Sequence, residues 1–165
     1  MQFAKDSFYM TLRSRLAAVN PARTITLDGA VRPAVYVVEN EVVLAASPPT
    51  EAFAISFGAA RAVSASDASR RPLLALDCEI AYRTAGTDAS LHTDRGRTLA
   101  ALDLELLQIC SPPYTAKQNF TVTPTVNLGT QILWQRANLG AVEVVGDQLR
   151  RIAKTTLFFY PEMDF

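Results

Sequence analysis

The chain has 165 residues, of which 49% are apolar and 19% are charged, and 16 basic residues balance 16 acidic ones. This length and composition predict one folded domain, spanning residues 1–165, and exclude a disordered chain. Zero net charge excludes a general electrostatic attraction to nucleic acid or to anionic membranes. No apolar run approaches the ~20 residues of a membrane span, and no leader pattern precedes the first helix. We therefore expect a protein that is cytoplasmic when it is made.

The first predicted element is an amphipathic helix over residues 6–19. Asp6 or Ser7 is the expected cap, and Pro21 prevents the helix from continuing. Four apolar residues recur at helical spacing and form one stripe, which predicts that the helix packs on a core. They are Phe8, Leu12, Leu16 and Val19.

A hairpin is predicted next, with strands at residues 24–27 and 30–39. Asp28-Gly29 lies between them, and both residues tolerate the positive φ of a tight hairpin turn. Pro33 has no N–H for a ladder hydrogen bond, which predicts a sheet edge or a bulge at that point.

The middle of the chain contains two further predicted strands. Residues 45–51 and 64–71 are predicted loops, and between them residues 53–57 alternate as a strand that extends toward residue 63. Residues 73–83 alternate most clearly, which predicts a strand with one core face and one face toward solvent or a partner. The core face carries Leu74, Leu76, Cys78, Ile80 and Tyr82, and the other face carries Ala75, Asp77, Glu79, Ala81 and Arg83.

A second helix is predicted over residues 95–110, with Thr93 or Asp94 as its cap. Its apolar stripe predicts a buried face. The stripe consists of Leu99, Leu102, Leu106 and Ile109. Residues 111–130 follow as a long irregular insertion, rich in proline, within which residues 120–123 are a possible short strand. An irregular segment of this length often contacts a partner.

The chain ends in a second predicted hairpin, with strands at residues 141–145 and 149–160 and a turn at Gly146-Asp147. Both faces of the last strand become apolar near its end, which predicts that other parts of the protein pack against both faces there. Hairpin-connected strands with two helices predict an α+β fold, in which a mostly antiparallel sheet carries both helices on one face.

The sequence contains no recognisable catalytic constellation. His92 is the only histidine, it lies in a polar connection, and no nucleophile motif accompanies it. Asp77 and Glu79 share a strand face, and together with Asp103 they are the candidate ligands of a metal-dependent nuclease. Against that alternative, Asp103 and Glu105 are two positions apart on a helix and therefore diverge. We expect no metal, no cofactor and no enzymatic activity.

The two cysteines, Cys78 and Cys110, fall at apolar positions of a strand and of a helix end. Neither has a C-x-x-C neighbour or a nearby histidine, so zinc ligation is not indicated. Both are predicted to be small buried residues with free thiols.

The order of elements resembles one known family. The stretches that carry the resemblance are an opening helix and hairpin, KDSFYMTLRSRLAAVNP, RTITLDG and RPAVYVVENE, followed by RPLLALDCEIAYR, RGRTLAALDLELLQIC and QLRRIAKTTLFFYPE. Together they resemble the tail-terminator or tail-completion proteins of bacteriophages, the minor tail protein U-like group, with relatives in prophages and phage-derived contractile systems. The insertion at residues 111–130 departs from the short members of that family.

The resemblance implies a structural protein without an active site. It implies self-association into a ring of about six copies. The ring would cap the tail tube and contact the head-side connector protein, so the assembled protein would be located in the virion tail. A cyclic ring needs two different patches on each subunit. The candidate subunit-interface residues are Arg83, Arg95, Arg97, Asp77, Glu79, Tyr114 and Phe120.

Three alternatives remain open at this stage. One is another virion part, such as a head–tail connector or adaptor. The second is the metal-dependent nuclease that would use Asp77, Glu79 and Asp103. The third is a small-ligand binder with a pocket between the helices and the sheet, for which the sequence offers no set of polar anchors. We expect no membrane partner and no sequence-specific contact with nucleic acid.

Overall fold

A computed structural model of the chain describes residues 1–41, 48–63, 72–85, 93–111 and 117–161. The predicted loop at residues 64–71, His92 and Tyr114 lie outside these residues. The helices are α1 (Gln2–Val19) and α2 (Asp94–Ile109). The strands are β1 (Thr24–Leu27), β2 (Ala30–Pro33), β3 (Val35–Val37), β4 (Phe53–Ala62), β5 (Leu74–Arg83), β6 (Gln118–Asn119), β7 (Val126–Asn127), β8 (Ile132–Trp134), β9 (Asn138–Val145) and β10 (Gln148–Phe159).

The architecture is an α+β fold with a mostly antiparallel sheet, as predicted. Six strands form the main sheet in the order β3-β4-β5-β10-β8, and β9 pairs with β10 beside β8. The pair β3 and β4 is parallel, whereas the other pairs in this sheet are antiparallel. The strands β1 and β2 form a separate hairpin, and so do β6 and β7. Two helices and ten strands therefore account for the regular structure of the described residues.

Both helices pack on one face of the main sheet, which we call the core face. On β5 the alternation predicted from sequence is confirmed over residues 76–80, because Leu76, Cys78 and Ile80 are buried while Asp77 and Glu79 are exposed. It fails at the start of the strand, where Leu74 is half-buried and Ala75 is buried. The register places residues of β10 directly beside the buried ones, and these β10 residues are buried as well. They are Ala153, Thr155 and Leu157. The opposite face of the sheet, which we call the open face, carries no helix in the described part of the chain.

The apolar stripes predicted on the two helices form part of the core. Phe8, Leu12 and Leu16 of α1 are fully buried, and the four stripe residues of α2 are 0–4% exposed. Val19 differs from the prediction, since it is 42% exposed at the end of α1. Helix α1 also begins earlier than predicted, at Gln2, so neither Asp6 nor Ser7 is its cap. Burial of Ala4 explains the extra turn, because that turn packs on the core.

The first hairpin turn is confirmed, with φ of 50° at Asp28 and 77° at Gly29. The prediction of one strand over residues 30–39 is wrong. The strand breaks at Ala34, so that β2 stays in the small hairpin while β3 enters the main sheet beside β4. Pro33 is the last residue of β2, which agrees with its inability to donate a ladder hydrogen bond.

The later part of the chain is more regular than predicted. Residues 118–127 contain the short β6–β7 hairpin, and a 3-10 turn follows at Gly129–Gln131. Phe120 lies in the turn after β6 and is half-buried, so the predicted strand over residues 120–123 is absent. The cover predicted on both faces at the end of β10 is complete on one face only, since Leu157 and Phe159 are buried, whereas Phe158 is half-buried and Tyr160, just beyond the strand, is 47% exposed.

Gly140 is required by the close packing of β9 on β10. A Cβ atom at this position would lie 2.5 Å from the backbone oxygen of Ile152, which is too close for any side chain. We expect Gly140→Ala to lower the free energy of unfolding by about 2 kcal/mol, as other overpacked sites do. Urea unfolding followed by circular dichroism measures the change.

A matched control is Gly96→Ala in the first turns of α2, where an added Cβ would have no neighbour within 4 Å. This substitution should raise the free energy of unfolding by about 0.5–1 kcal/mol, because alanine favours a helix over glycine. Equal effects of the two substitutions would contradict the importance of the close approach at Gly140.

Candidate functional site

The predicted interface carboxylates Asp77 and Glu79 lie on the open face in exposed ion pairs. Asp77 accepts a hydrogen bond of 2.5 Å from Arg61 and one of 3.0 Å from the hydroxyl of Thr156. The hydrogen bond from Arg61 is the main reason why the pKa of Asp77 is lowered. Glu79 pairs with Lys154 at 3.0 Å. This part of the open face is therefore a network of opposite charges on neighbouring strands, each pair exposed to screening by solvent.

Asp103 lies on the other side of the sheet from these two carboxylates. Its Oδ1 atom accepts a hydrogen bond of 2.6 Å from the hydroxyl of Tyr82, a core-face residue of β5. Burial first, and then this hydrogen bond, raise the pKa of Tyr82 well above its usual range. Arg151 Nε lies 3.5 Å from the same Asp103 oxygen. Asp103 therefore joins α2 to the sheet.

The three proposed nuclease ligands cannot bind one metal ion in this arrangement, because the sheet separates Asp103 from Asp77 and Glu79. No group of three or more potential metal ligands occurs within the five described ranges. Asp103 and Glu105 diverge, as their spacing predicted. Glu105 pairs with Arg23 at 2.8 Å and accepts a hydrogen bond from Asn20.

The arginine candidates occupy two separate regions. Arg83 is half-buried at the end of β5, where its Nη2 atom donates a hydrogen bond to the carbonyl oxygen of Pro48. Arg95 and Arg97 lie at the start of α2, in the helical layer, with Arg97 exposed and Arg95 half-buried. The charged candidate interface residues therefore do not form one patch. They divide between the open face of the sheet and the helical side.

Both cysteines are buried and free, as predicted. Burial is the main cause that raises the pKa of both thiols, and for Cys110 the pKa rises to about 12. A thiol with such a pKa stays protonated near neutral pH and is a poor nucleophile and metal ligand. The two residues therefore act as small apolar groups of the core.

The last hairpin contains an exposed apolar strand that was not predicted from the sequence. Every residue of β9 except Leu139 is exposed, and the strand pairs with β10 alone. Val142, Val144 and Val145 are 44%, 74% and 49% exposed. We call these three residues the β9 valines. The run of valines was visible in the sequence, but their exposure follows from the position of β9 at the edge of the sheet.

A second exposed apolar area was also missed, on the side of α2 that faces away from the sheet. Leu104 is 63% exposed and Leu107 is 36% exposed. Ala100 and Ala101 are exposed one turn earlier, and Arg97 lies at the head of the same side. We call the four apolar residues the α2 outer stripe. The spacing of three to four residues between them is visible in the sequence. It was not interpreted as a second apolar side, because the same helix also carries the buried stripe.

Within the described part of the chain, neither helix combines the length and apolar character needed to cross a membrane. No protein-family model matches the sequence, and no curated protein is significantly similar to it. What can be stated of its class is therefore the α+β fold itself.

Proposed function

We propose that this protein is a structural assembly protein of a phage or phage-like tail. In this proposal it forms a ring of about six copies that terminates the tail tube and joins it to the head-side connector. It acts through its surfaces and not as an enzyme. The order of elements in the sequence suggests the family. The structural observation that supports the proposal is the presence of two different exposed apolar areas on one subunit.

The first area is the edge strand β9. A long exposed edge with apolar side chains is a ready site for pairing with another chain, and monomeric proteins usually protect such edges with charges, prolines or short strands. β9 spans eight residues and carries one acidic residue, Glu143, among its valines. The opposite edge strand, β3, has only three residues, and all three are buried.

The second area is the α2 outer stripe, which differs from β9 in shape and in chemistry. A ring requires a heterologous contact, in which one patch of a subunit meets another patch of the next subunit. The β9 valines and the α2 outer stripe lie on different elements and meet this requirement. Arg97 borders the stripe and would contribute a polar rim, whereas Asp77 and Glu79 belong to the open face.

The test is a mixing experiment with two lysine variants, since a lysine in either patch places a charge in the apolar contact. Val144→Lys and Leu104→Lys should each abolish the ring when measured alone by native mass spectrometry, with and without tail tubes. Mixed together, they should form a heterodimer, because each variant retains the patch that the other has lost. Val31→Lys is the matched control, because Val31 is 71% exposed on the separate β1–β2 hairpin.

Two results would overturn the arrangement. If Leu104→Lys still forms dimers on its own, β9 pairs with β9 and the contact is isologous, which does not build a ring. If both variants retain the wild-type assembly, neither area is an interface.

The place of the ring in the tail needs a separate assay. Particles assembled with Val144→Lys should have tails of uncontrolled length if the protein terminates the tube. Tails of normal length that lack heads would instead identify a head–tail connector. Electron microscopy of tail lengths distinguishes the two results.

A further inference from the structure

The open face contains a cavity of about 370 Å³ near the start of β10. This volume lies within the range of sites that hold small molecules. Its floor consists of small side chains on neighbouring strands, Ala54 and Ser56 of β4 and Ala81 of β5, and these small residues leave a depression in the sheet. Pro48 and Pro49 form part of its wall.

Two of the polar residues that line this mainly apolar space, Tyr36 and Arg83, lie near each other. Tyr36 lines the cavity although only 3% of the residue is exposed, and Arg83 lies close enough for its charge to act on the phenol. The Nε atom of Arg83 is buried and has no hydrogen-bond partner among the residues that the structure describes. A buried donor without an acceptor is costly, so an acceptor in the cavity that draws the guanidinium toward it would be favourable.

The charges around the cavity favour an anion. Glu41 and Arg150 also line it, but each has a partner of opposite charge: Glu41 contacts Arg32, and Arg150 lies 3.6 Å from Glu143. Arg83 contacts no carboxylate among the described residues, and its one hydrogen bond goes to a carbonyl oxygen. It is therefore the cation at this site whose charge is not already offset by a neighbouring acid.

We propose that this cavity binds a small carboxylate with an apolar body, with the carboxylate held by Arg83 and the hydroxyl of Tyr36. A guanidinium pairs well with a carboxylate because its N–H groups form a planar fork. The hydroxyl of Tyr36 donates a further hydrogen bond, and the body of the ligand lies on Ala54 and Ala81. Val145 belongs both to the β9 valines and to the wall of the cavity, whereas Val144 and Leu104 do not line it, so substitutions at those two positions leave the lining intact.

The test compares two probes on the full-length protein, 3-phenylpropionate and 3-phenylpropionamide. They have nearly the same shape, but only the first carries a negative charge. We expect the carboxylate to bind at least tenfold more tightly than the amide, because a hydrogen bond to a charged group contributes about 1.5–3 kcal/mol. Isothermal titration calorimetry measures the affinities, and NMR shifts at Ala54 and Ala81 report the location.

Variants assign the binding to individual groups. Arg83→Gln should weaken binding of the carboxylate about tenfold or more and leave binding of the amide nearly unchanged. Tyr36→Phe should also weaken carboxylate binding by about tenfold or more, because a hydrogen bond from the hydroxyl to a charged group is lost. Arg61→Gln is the matched control on the same face, since Arg61 pairs with Asp77 outside the cavity.

Equal affinity for the two probes on the wild-type protein would overturn the proposal without the need for any variant. The absence of binding would also overturn the proposal, and it is the result expected if another part of the chain fills the cavity. Unchanged carboxylate binding by a folded Arg83→Gln protein would also overturn it. Val144→Lys should bind the carboxylate normally, so failure of the ring and failure of this site are separate results.

Discussion

Replacing Glu105 by alanine is expected to lower the free energy of unfolding by about 3 kcal/mol, near the lower end for breaking a buried ion pair. Glu105 and Arg23 are each only 12% exposed, and Glu105 binds the guanidinium at 2.8 Å and at 3.1 Å. Without Glu105, the charge of Arg23 stays largely desolvated. Glu51 remains as a partner at 2.7 Å, and for this reason the loss should not reach the upper end of the range.

The position of the cluster formed by Arg23, Glu51 and Glu105 explains why removal of Glu105 should destabilise the whole fold. Arg23 precedes β1, Glu105 lies on α2, and Glu51 precedes β4, so three segments distant in sequence meet at one guanidinium. Asn20, at the end of α1, adds a hydrogen bond of 2.7 Å to Glu105. Removal of Glu105 therefore weakens contacts among both helices and the strands next to them.

Urea unfolding of Glu105→Ala, measured by circular dichroism, tests this prediction. Glu143→Ala is the matched control, because the pair Glu143–Arg150 is 3.6 Å apart and both side chains are exposed, so its loss should cost less than about 0.5 kcal/mol. The double variant Arg23→Met/Glu105→Met should be more stable than Glu105→Ala, since the charge that it leaves without a partner, that of Glu51, is 38% exposed and can be solvated. Similar losses for Glu105→Ala and Glu143→Ala would contradict the role of burial.

Phe8→Ala is expected to cost about 3–5 kcal/mol, the usual range for deleting a buried aromatic ring. The ring of Phe8 is fully buried and joins α1 to two separate strands. Its centroid lies 5.1 Å from the ring of Trp134 on β8 and 6.4 Å from that of Phe57 on β4, edge to face in both cases. Such aromatic pairs add stability beyond the area that they bury.

Phe8→Leu provides the comparison, since it keeps an apolar side chain and should cost less than half as much. Val19→Ala, at an exposed position of the same helix, should change the stability by about 0.5 kcal/mol or less. Thermal or urea unfolding by circular dichroism measures all three. If Phe8→Ala were no more costly than Val19→Ala, α1 would not pack on the sheet through this ring.

Several elements could be predicted from local pattern alone. The alternation in β5 depends only on the two-residue period of a strand, and over residues 76–80 the structure confirms which residues are buried. The buried stripe of α2 depends only on the helical period, and all of its residues are buried. The turn at Asp28-Gly29 depends on the conformational tolerance of these two residues.

Other features depend on contacts that no local pattern encodes. Residues 30–39 looked like one strand, but Ala34 separates two, because the backbone after it pairs with β4 and no longer with β1. The spacing of Asp103 and Glu105 on α2 predicted that they diverge but not which residues they contact: Asp103 contacts Tyr82 of the sheet and Glu105 contacts Arg23 before β1. These partners are distant in sequence and become neighbours only through folding.

The sequence by itself determined the α+β class, the faces of β5 and α2, and the absence of a recognisable catalytic motif, because each depends on residue type and short-range spacing. The tertiary structure alone decided that β9 is an exposed edge strand, that the outer side of α2 is uncovered, and that Tyr36 and Arg83 share one cavity. Exposure and convergence depend on which elements are neighbours in space, and that is a property of the whole sheet and its helices.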